Sequence, residues 1–195
     1  SDVCSSDLLL TFEPELNRWT SADIQTTEDD LKSRGITWHR LKYHKTPSVP
    51  ATLFDILNGA RKIRALMARY HYDILHCRIH VPAMMAEIAR RSSGHAAKLL
   101  FDIRGFFPEE YTDAGVWPRD GVVYRSVKRV EKWLIDRADG FVVLTEKARA
   151  VLFPGSEVTG FEASERPVEV IPCCVDLKTR FPDSFVDREA DRKST

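Results

Sequence analysis

The chain has 195 residues, and 29 lysines and arginines balance 29 aspartates and glutamates, so its formal charge at neutral pH is zero. Such a surface provides no global field for a polyanion, which argues against a nucleic-acid partner. No apolar run approaches the ~20 residues needed to span a bilayer, and the length suits about one globular domain.

The two ends read as translated sequencing adapter. The codons GAT CGG AAG AGC ACA spell Asp191 to Thr195, and their reverse complement with one G in front spells Val3-Cys4-Ser5-Ser6-Asp7. Residues 1–8 and 191–195 are therefore expected to lie outside the fold, with the gene continuing past both. Of the four cysteines, Cys4 falls in this segment, and Cys77, Cys173 and Cys174 form no CxxC pair. That usage fits a reducing, cytoplasmic compartment. Cys173 and Cys174 are read as two small, half-buried residues at a strand end.

In chain order, short β-rich runs occur at 8–12, 36–41, 73–77, 98–103, 140–144 and 168–171. Several are apolar throughout, as strands covered on both faces should be. Amphipathic stretches alternate with them, which is the pattern of an α/β fold: a Rossmann-like parallel sheet of six strands flanked by helices. After the second run, Leu53, Ile56, Leu57, Ala60, Ile63, Met67 and Tyr70 recur at helical spacing and predict one apolar face laid on the sheet. After the fourth, Val123, Val127, Val130, Leu134 and Ala138 do the same, while Arg125, Lys128, Arg129 and Lys132 form the opposite side. A solvated face is the preferred reading of those basic residues over contact with a membrane surface. Helices are expected to begin at Val81-Pro82 and, with a threonine cap, at Thr145-Glu146.

Ligands of open α/β sheets bind outside the carboxyl ends of the strands, helped by helix N-termini. Chemistry is therefore sought in the loops after Phe12, Cys77, Ile103 and Leu144. The loop after the third run is His76-Cys77-Arg78-Ile79-His80. Arginine offers a fixed fork of donors for phosphate or carboxylate, and neutral histidine both donates and accepts. His76, at a strand position, reads as a hydrogen-bonded core residue. Arg78 and His80 fall in the loop itself and read as functional.

After the fourth run, Asp102-Ile103-Arg104-Gly105-Phe106-Phe107-Pro108-Glu109-Glu110 combines charge, glycine and aromatics. Gly105 would permit close backbone approach or positive φ, Phe106 or Phe107 would cover an apolar sugar face, and Glu109 or Glu110 would accept from hydroxyls. The structural reading of the same residues is an Asp102–Arg104 ion pair with a glutamate cluster at a helix N-terminus. A glycosidase acid/base pair is rejected, because sequence neighbours need not face one site at the separation that chemistry requires. There is no GxGxxG after the first run, no P-loop, no GxSxG and no HExxH, so nicotinamide, ATP-hydrolysing and triad chemistries lack support.

The order and spacing of DILHCRIHVPA (73–83), FDIRGFFPEE (101–110), VEKWLIDRADGFVVLTEKARAVL (130–152) and VEVIPCCVDLKTRF (168–181) resemble the N-terminal domain of family-4 retaining glycosyltransferases of the GT-B fold. Ala138-Asp139, Thr145, Val170-Ile171-Pro172, Val175-Asp176 and Phe181 fill the places of the family pattern. Two departures stand out: Thr11-Phe12-Glu13-Pro14-Glu15 replaces a glycine-rich loop, and Cys173-Cys174 replaces the commoner Asn-Gly.

The resemblance implies transfer of a sugar from a nucleotide donor to an acceptor hydroxyl with retention, without cofactor or essential metal. It implies an acceptor-side domain over 9–172 and the start of an interdomain linker over 173–190, with donor-binding groups in a further C-terminal domain. It assigns Arg78 and His80 to contact with the transferred sugar or acceptor, Arg104 and Gly105 to the cleft wall, and Glu13 and Glu110 to acceptor hydroxyls. The acceptor is expected to be a glycan or a lipid-linked sugar, the latter bringing peripheral contact with the inner face of the membrane. Two alternatives remain open at this point: a sugar-nucleotide 2-epimerase of the same architecture, and a non-enzymatic flavodoxin-like binding module.

Overall fold

The structure, a computed structural model, describes residues 7–13, 19–44, 48–156 and 166–173. Expectations for Pro14, Glu15, Cys174, Val175, Asp176 and Phe181, for the linker beyond Cys173, and for residues 1–6 and 191–195 lie outside the described residues. The elements run β1 (Asp7–Glu13), α1 (Ser21–Ser33), β2 (Ile36–Lys42), α2 (Ser48–Tyr70), β3 (Ile74–Arg78), α3 (His80–Ser93), β4 (Lys98–Ile103), α4 (Phe107–Asp113), α5 (Val122–Arg137), β5 (Gly140–Val143), α6 (Glu146–Leu152) and β6 (Val168–Val170). All six strands fall on the β-rich runs of the sequence. β1 reaches back to Asp7, which pairs with Ile36, so Asp7 and Leu8 are part of the ladder rather than outside it.

Every described strand pair is parallel. The strands do not form the single six-stranded sheet expected: β1 and β2 pair with each other, while β3-β4-β5-β6 form a separate sheet of four. Helix packing, not a backbone ladder, makes the join. At Gly59 of α2 an added Cβ would lie 2.5 Å from the Met85 sulfur of α3 and 3.0 Å from the Phe12 ring of β1. Only a glycine lets the three elements approach this closely.

β4 is the axis of the larger sheet. Leu99 and Phe101 are fully buried there, between Cys77 of β3 and Phe141 and Val143 of β5, with Ala83, Ala86, Leu134 and Ala138 closing the core from α3 and α5. Small side chains on α3 let the helix sit close to the strands. Burial also pushes the Cys77 thiol up to about 12, leaving it an inert core group.

The helix faces depart from the expected periodicity. On α2, Ile56, Ala60 and Met67 are buried, but Leu53, Leu57 and Tyr70 are exposed. On α5, Leu134 is buried and Val130 packs against the core, whereas Val123 is half exposed. On α2 buried Ala51, Asp55, Ile56 and Ala60 interleave with exposed Leu53 and Leu57, so the buried face is rotated from the one the periodicity marked, whereas on α5 Val123 sits in the first turn, ahead of the stretch that packs on the core. Among the described residues no helix is long and apolar enough to cross a membrane.

At the N-terminal edge of the sheet, Asp139 ties three elements together. Its carboxylate accepts from the Leu99 N–H at 2.9 Å, and it pairs with Arg90 and with Lys98, while its own N–H donates to the Leu99 carbonyl. Arg90 also donates to the Arg137 carbonyl at 2.8 Å. Burial raises the Asp139 carboxyl, but the Leu99 bond and the Arg90 and Lys98 cations outweigh it and hold the group below its usual value. A carboxyl depressed on folding stabilises the protein above its unfolded value near ~4, and that contribution disappears as pH falls through the folded value. Asp139→Asn should cost about 1.5–3 kcal/mol at neutral pH. It should also flatten the loss of stability below about pH 4. Urea unfolding across that range measures both, and an unaltered acid limb in the variant would contradict this account.

Candidate functional site

The parallel register sets the site. Arg78 lies opposite Asp102, and Ile103 opposite Val143, which is in turn opposite Val170. The turns after β3, β4, β5 and β6 therefore open on one sheet edge, the edge that also receives the N-terminus of α3 and the Thr145-capped N-terminus of α6. Such an edge is where open α/β sheets bind ligands.

Arg78 is the last residue of β3 and His80 the first of α3, so only Ile79 separates strand from helix where the sequence suggested a longer loop. Ile79 takes φ 64° and ψ 175°. A β-branched residue there is strained by ~1–3 kcal/mol, and it persists only if its surroundings over-determine it. Its N–H donates to the Asp102 carbonyl at 2.9 Å, which ties the turn to β4. Arg78 is exposed, and no hydrogen bond or ion pair holds its guanidinium among the described residues.

His80 is buried, at 5% exposure. Its Nε2 is 3.1 Å from the Glu131 carboxylate of α5, its ring meets Phe101 edge-on, and Phe107 lies tilted over it. A ring enclosed in this way cannot offer itself to a ligand without movement of Phe107, so His80 supports the turn from beneath. Its Nδ1 is buried without a partner among the described residues.

The His80 contact opens a chain of polar groups that sequence reasoning missed. Glu131, itself buried, pairs with Lys128, whose ammonium is 3.0 Å from Glu109 of α4, and Glu109 accepts from the Tyr124 hydroxyl at 3.2 Å. Burial raises the Glu131 carboxyl, but the bonds from His80 and Lys128 prevail and hold it below its usual value. Lys128 is shifted up: burial opposes its charge, and the two glutamates more than compensate. Lys128 therefore does not belong to a solvated basic face. The i,i+3 spacing of Lys128 and Glu131 was the one local signal available.

Arg104 forks onto one oxygen of buried Asp102, with its Nε and terminal nitrogen each at 2.9 Å, and its other terminal nitrogen donates to the Cys173 sulfur at 3.6 Å. The Asp102 bond, opposed by burial and helped by the Asp102 charge and the Cys173 contact, raises the Arg104 guanidinium further. The structural reading of this ion pair thus holds, and Arg104 links the end of β4 to the end of β6. Cys173 is exposed rather than half-buried. His76 is likewise no core residue: its side chain is 56% exposed and 3.5 Å from Asp102.

Gly105 has no positive φ. Its lack of a side chain serves Glu110, whose carboxylate oxygen lies 2.1 Å from where a Cβ would be. Glu109 and Glu110 occupy the first turn of α4, as a helix N-terminal charge cluster would. Phe107 joins Tyr111 and Trp117 in an aromatic cluster, the last two stacked at 4.6 Å. Glu13 ends β1 in the other sheet, and no bond joins it to Arg78, Arg104 or Glu110 among the described residues. The structure thus gathers Arg78, Arg104, Gly105 and Glu110 on one edge, sets His80 below them and leaves Glu13 apart. Among the described residues no group of three or more histidine, cysteine or acidic side chains is placed to hold a metal.

Comparison with known proteins agrees with this geometry. Residues 20–179 match the profile described as Glycosyltransferase Family 4. EpsD of Bacillus subtilis (strain 168), which carries the name of a glycosyltransferase, is 29% identical over 109 residues, 52% of this chain and 27% of its own length. Sucrose-phosphate synthase from Thermosynechococcus elongatus superposes with a TM-score of 0.54 at 15% identity, over 95% of this chain and 52% of that one. The chain thus spans about half the length of that structure, and the matched region about a quarter of EpsD.

Gly105→Ala would drive a methyl group into the Glu110 carboxylate. Because Glu110 is an exposed, flexible side chain, the fold should lose less than about 1 kcal/mol, while the carboxylate swings away from the edge. A crystal structure of the variant with Glu110 unmoved would refute the assignment of Gly105 to that contact.

Proposed function

Because this chain belongs to glycosyltransferase family 4, we propose that residues 9–172 form the acceptor-side, N-terminal domain of a two-domain enzyme, with a linker opening at 173–190. That enzyme moves a sugar from a nucleotide donor to an acceptor hydroxyl with retention, and a C-terminal domain holds most of the donor. The observation that carries the reading is the exposed Arg78 at the end of β3, without a partner among the described residues, next to the Arg104–Asp102 pair on the same sheet edge. A free guanidinium fork suits sugar hydroxyls and phosphate oxygens, and Glu110 beside Gly105 supplies an acceptor for hydroxyl protons.

In this reading Arg78 contacts the transferred sugar or the acceptor, Glu110 the acceptor hydroxyls, and Arg104 and Gly105 shape the wall between them. His80 acts through the turn it supports. Stabilisation of the leaving diphosphate, commonly the largest catalytic term, falls to groups outside these residues. The isolated chain is therefore expected to show no turnover with any sugar nucleotide. In the two-domain parent, Arg78→Ala should lower kcat/KM at least about tenfold, a loss of ~1.4 kcal/mol in transition-state binding. Turnover by the isolated chain, or an unaffected Arg78→Ala parent, would count against the assignment. Detection of a new glycosidic bond in the product separates transfer from epimerisation.

A lipid-linked acceptor would bring the enzyme to a membrane surface, and α2 is better suited to that contact than α5. Leu53, Phe54 and Leu57 are each more than half exposed, and Arg61 and Arg64 continue the same helix face. An apolar wedge beside cations is what anionic interfaces attract. The chain should co-sediment with vesicles containing anionic phospholipid and lose that binding on combined Leu53→Ser, Phe54→Ser and Leu57→Ser substitution. Equal sedimentation of the two proteins would rule out this face.

A further inference from the structure

We propose that Glu131 is a positioning residue: through His80 it holds the strained Ile79 turn and so sets the direction of Arg78. The role in substrate contact rests on the reading of Arg78 above, but the mechanical and chemical claims stand on geometry alone.

The Ile79 conformation is costly and must be held from both sides. On one side its N–H is bound to the Asp102 carbonyl. On the other, α3 starts at once with His80, and no side chain caps that helix end. The Ile79 carbonyl accepts from the Ala83 N–H at 3.3 Å as the helix begins, and the His80 side chain is the further handle on the turn. His80 is gripped in three directions, by Phe101 at its edge, Phe107 over its face and Glu131 at Nε2. The aromatic contacts limit the ring's tilt, whereas among the described residues only the Glu131 bond fixes its rotation and its proton.

The chemistry of that bond follows from the neighbours of Glu131. Its second oxygen is occupied by Lys128, so the carboxylate is an acceptor on both sides. His80 Nε2 must then carry a hydrogen and donate, and in the neutral form of an imidazole that arrangement leaves Nδ1 bare, in keeping with its lack of a partner among the described residues. Lys128 in turn reaches Glu109 on α4, directly after the Gly105–Phe107 segment. One buried carboxylate thereby ties the turn after β3 to the turn after β4, the two that carry Arg78 and Arg104.

Long-range proton–nitrogen correlation spectra of the isotopically labelled chain, recorded above about pH 8.5 where an ordinary imidazole is neutral, read the tautomer directly. The wild-type ring should show hydrogen at Nε2. In Glu131→Gln the amide oxygen stays with Lys128 and the amide nitrogen faces His80, so the ring should switch to hydrogen at Nδ1. Amide exchange at Ile79 should quicken at least about tenfold in that variant, while Leu99 and Phe141 in the sheet stay unchanged. Should Glu131→Gln not fold, Glu131→Asp withdraws the carboxylate by one methylene and should also quicken Ile79 exchange. A wild-type ring protonated at Nδ1, a tautomer indifferent to Glu131→Gln, or Ile79 exchange unaffected by either variant would overturn the proposal. All of these are read without a sugar nucleotide, so they succeed or fail independently of the transferase reading.

Discussion

Parallel pairing of β3, β4, β5 and β6 is the constraint on which the rest of this structure depends. Parallel strands need a crossover between each pair, and the crossovers here carry α3, α5 and α6. Every strand therefore ends on the same edge and every crossover helix begins there. Of the residues that gather on it, Arg104, Gly105 and Glu110 belong to one short segment after β4, and the register of β3 against β4 makes Arg78 their neighbour. Complete burial of Leu99 and Phe101 on β4 fixes that register, since a slip of one residue would turn each side chain to the other face.

The two edges of the sheet treat buried polarity differently. At the N-terminal edge the Asp139 carboxylate is fully used, by Leu99, Arg90 and Lys98. At the C-terminal edge, one oxygen of Asp102, Nδ1 of His80 and one oxygen of Glu109 are buried without partners among the described residues, and Ile79 is strained. Leaving a buried polar atom unsatisfied costs about 1–3 kcal/mol. Stability is thus built at one end and relinquished at the other, the pattern expected where a fold carries a site.

Buried carboxylates also do much of the joining between elements. Asp55 of α2 takes both the backbone N–H and the ring nitrogen of His44, fastening the segment after β2 to the helix that follows. Glu131 fastens α5 to α3, and Glu87 shares Arg90 with Asp139. An unpaired charge in such places would be prohibitive, so each pair specifies one arrangement of its helices more sharply than apolar contact alone would. The aromatic cluster of Phe107, Tyr111 and Trp117 fixes α4 on the same principle of shape, with His80 beneath it.

What the sequence determined by itself is what depends on local pattern. Alternating β-rich and amphipathic runs located all six strands, Thr145 was readable as a cap, and the ordered segments from 73 to 181 carried the family likeness that the profile match over 20–179 shares. Tertiary structure decided what depends on partners distant along the chain. His80 and Glu131 are 51 residues apart and Arg90 and Asp139 are 49, and no spacing rule announces such pairs. The same reason accounts for the misread faces of α2 and α5: periodicity marks an apolar stripe, but which part of it meets a neighbour is a matter of packing. It accounts as well for the break between β2-β1 and β3-β4-β5-β6, because strand propensity says where a ladder can form, and the approach of Gly59 to Met85 and Phe12 shows helices making the join instead.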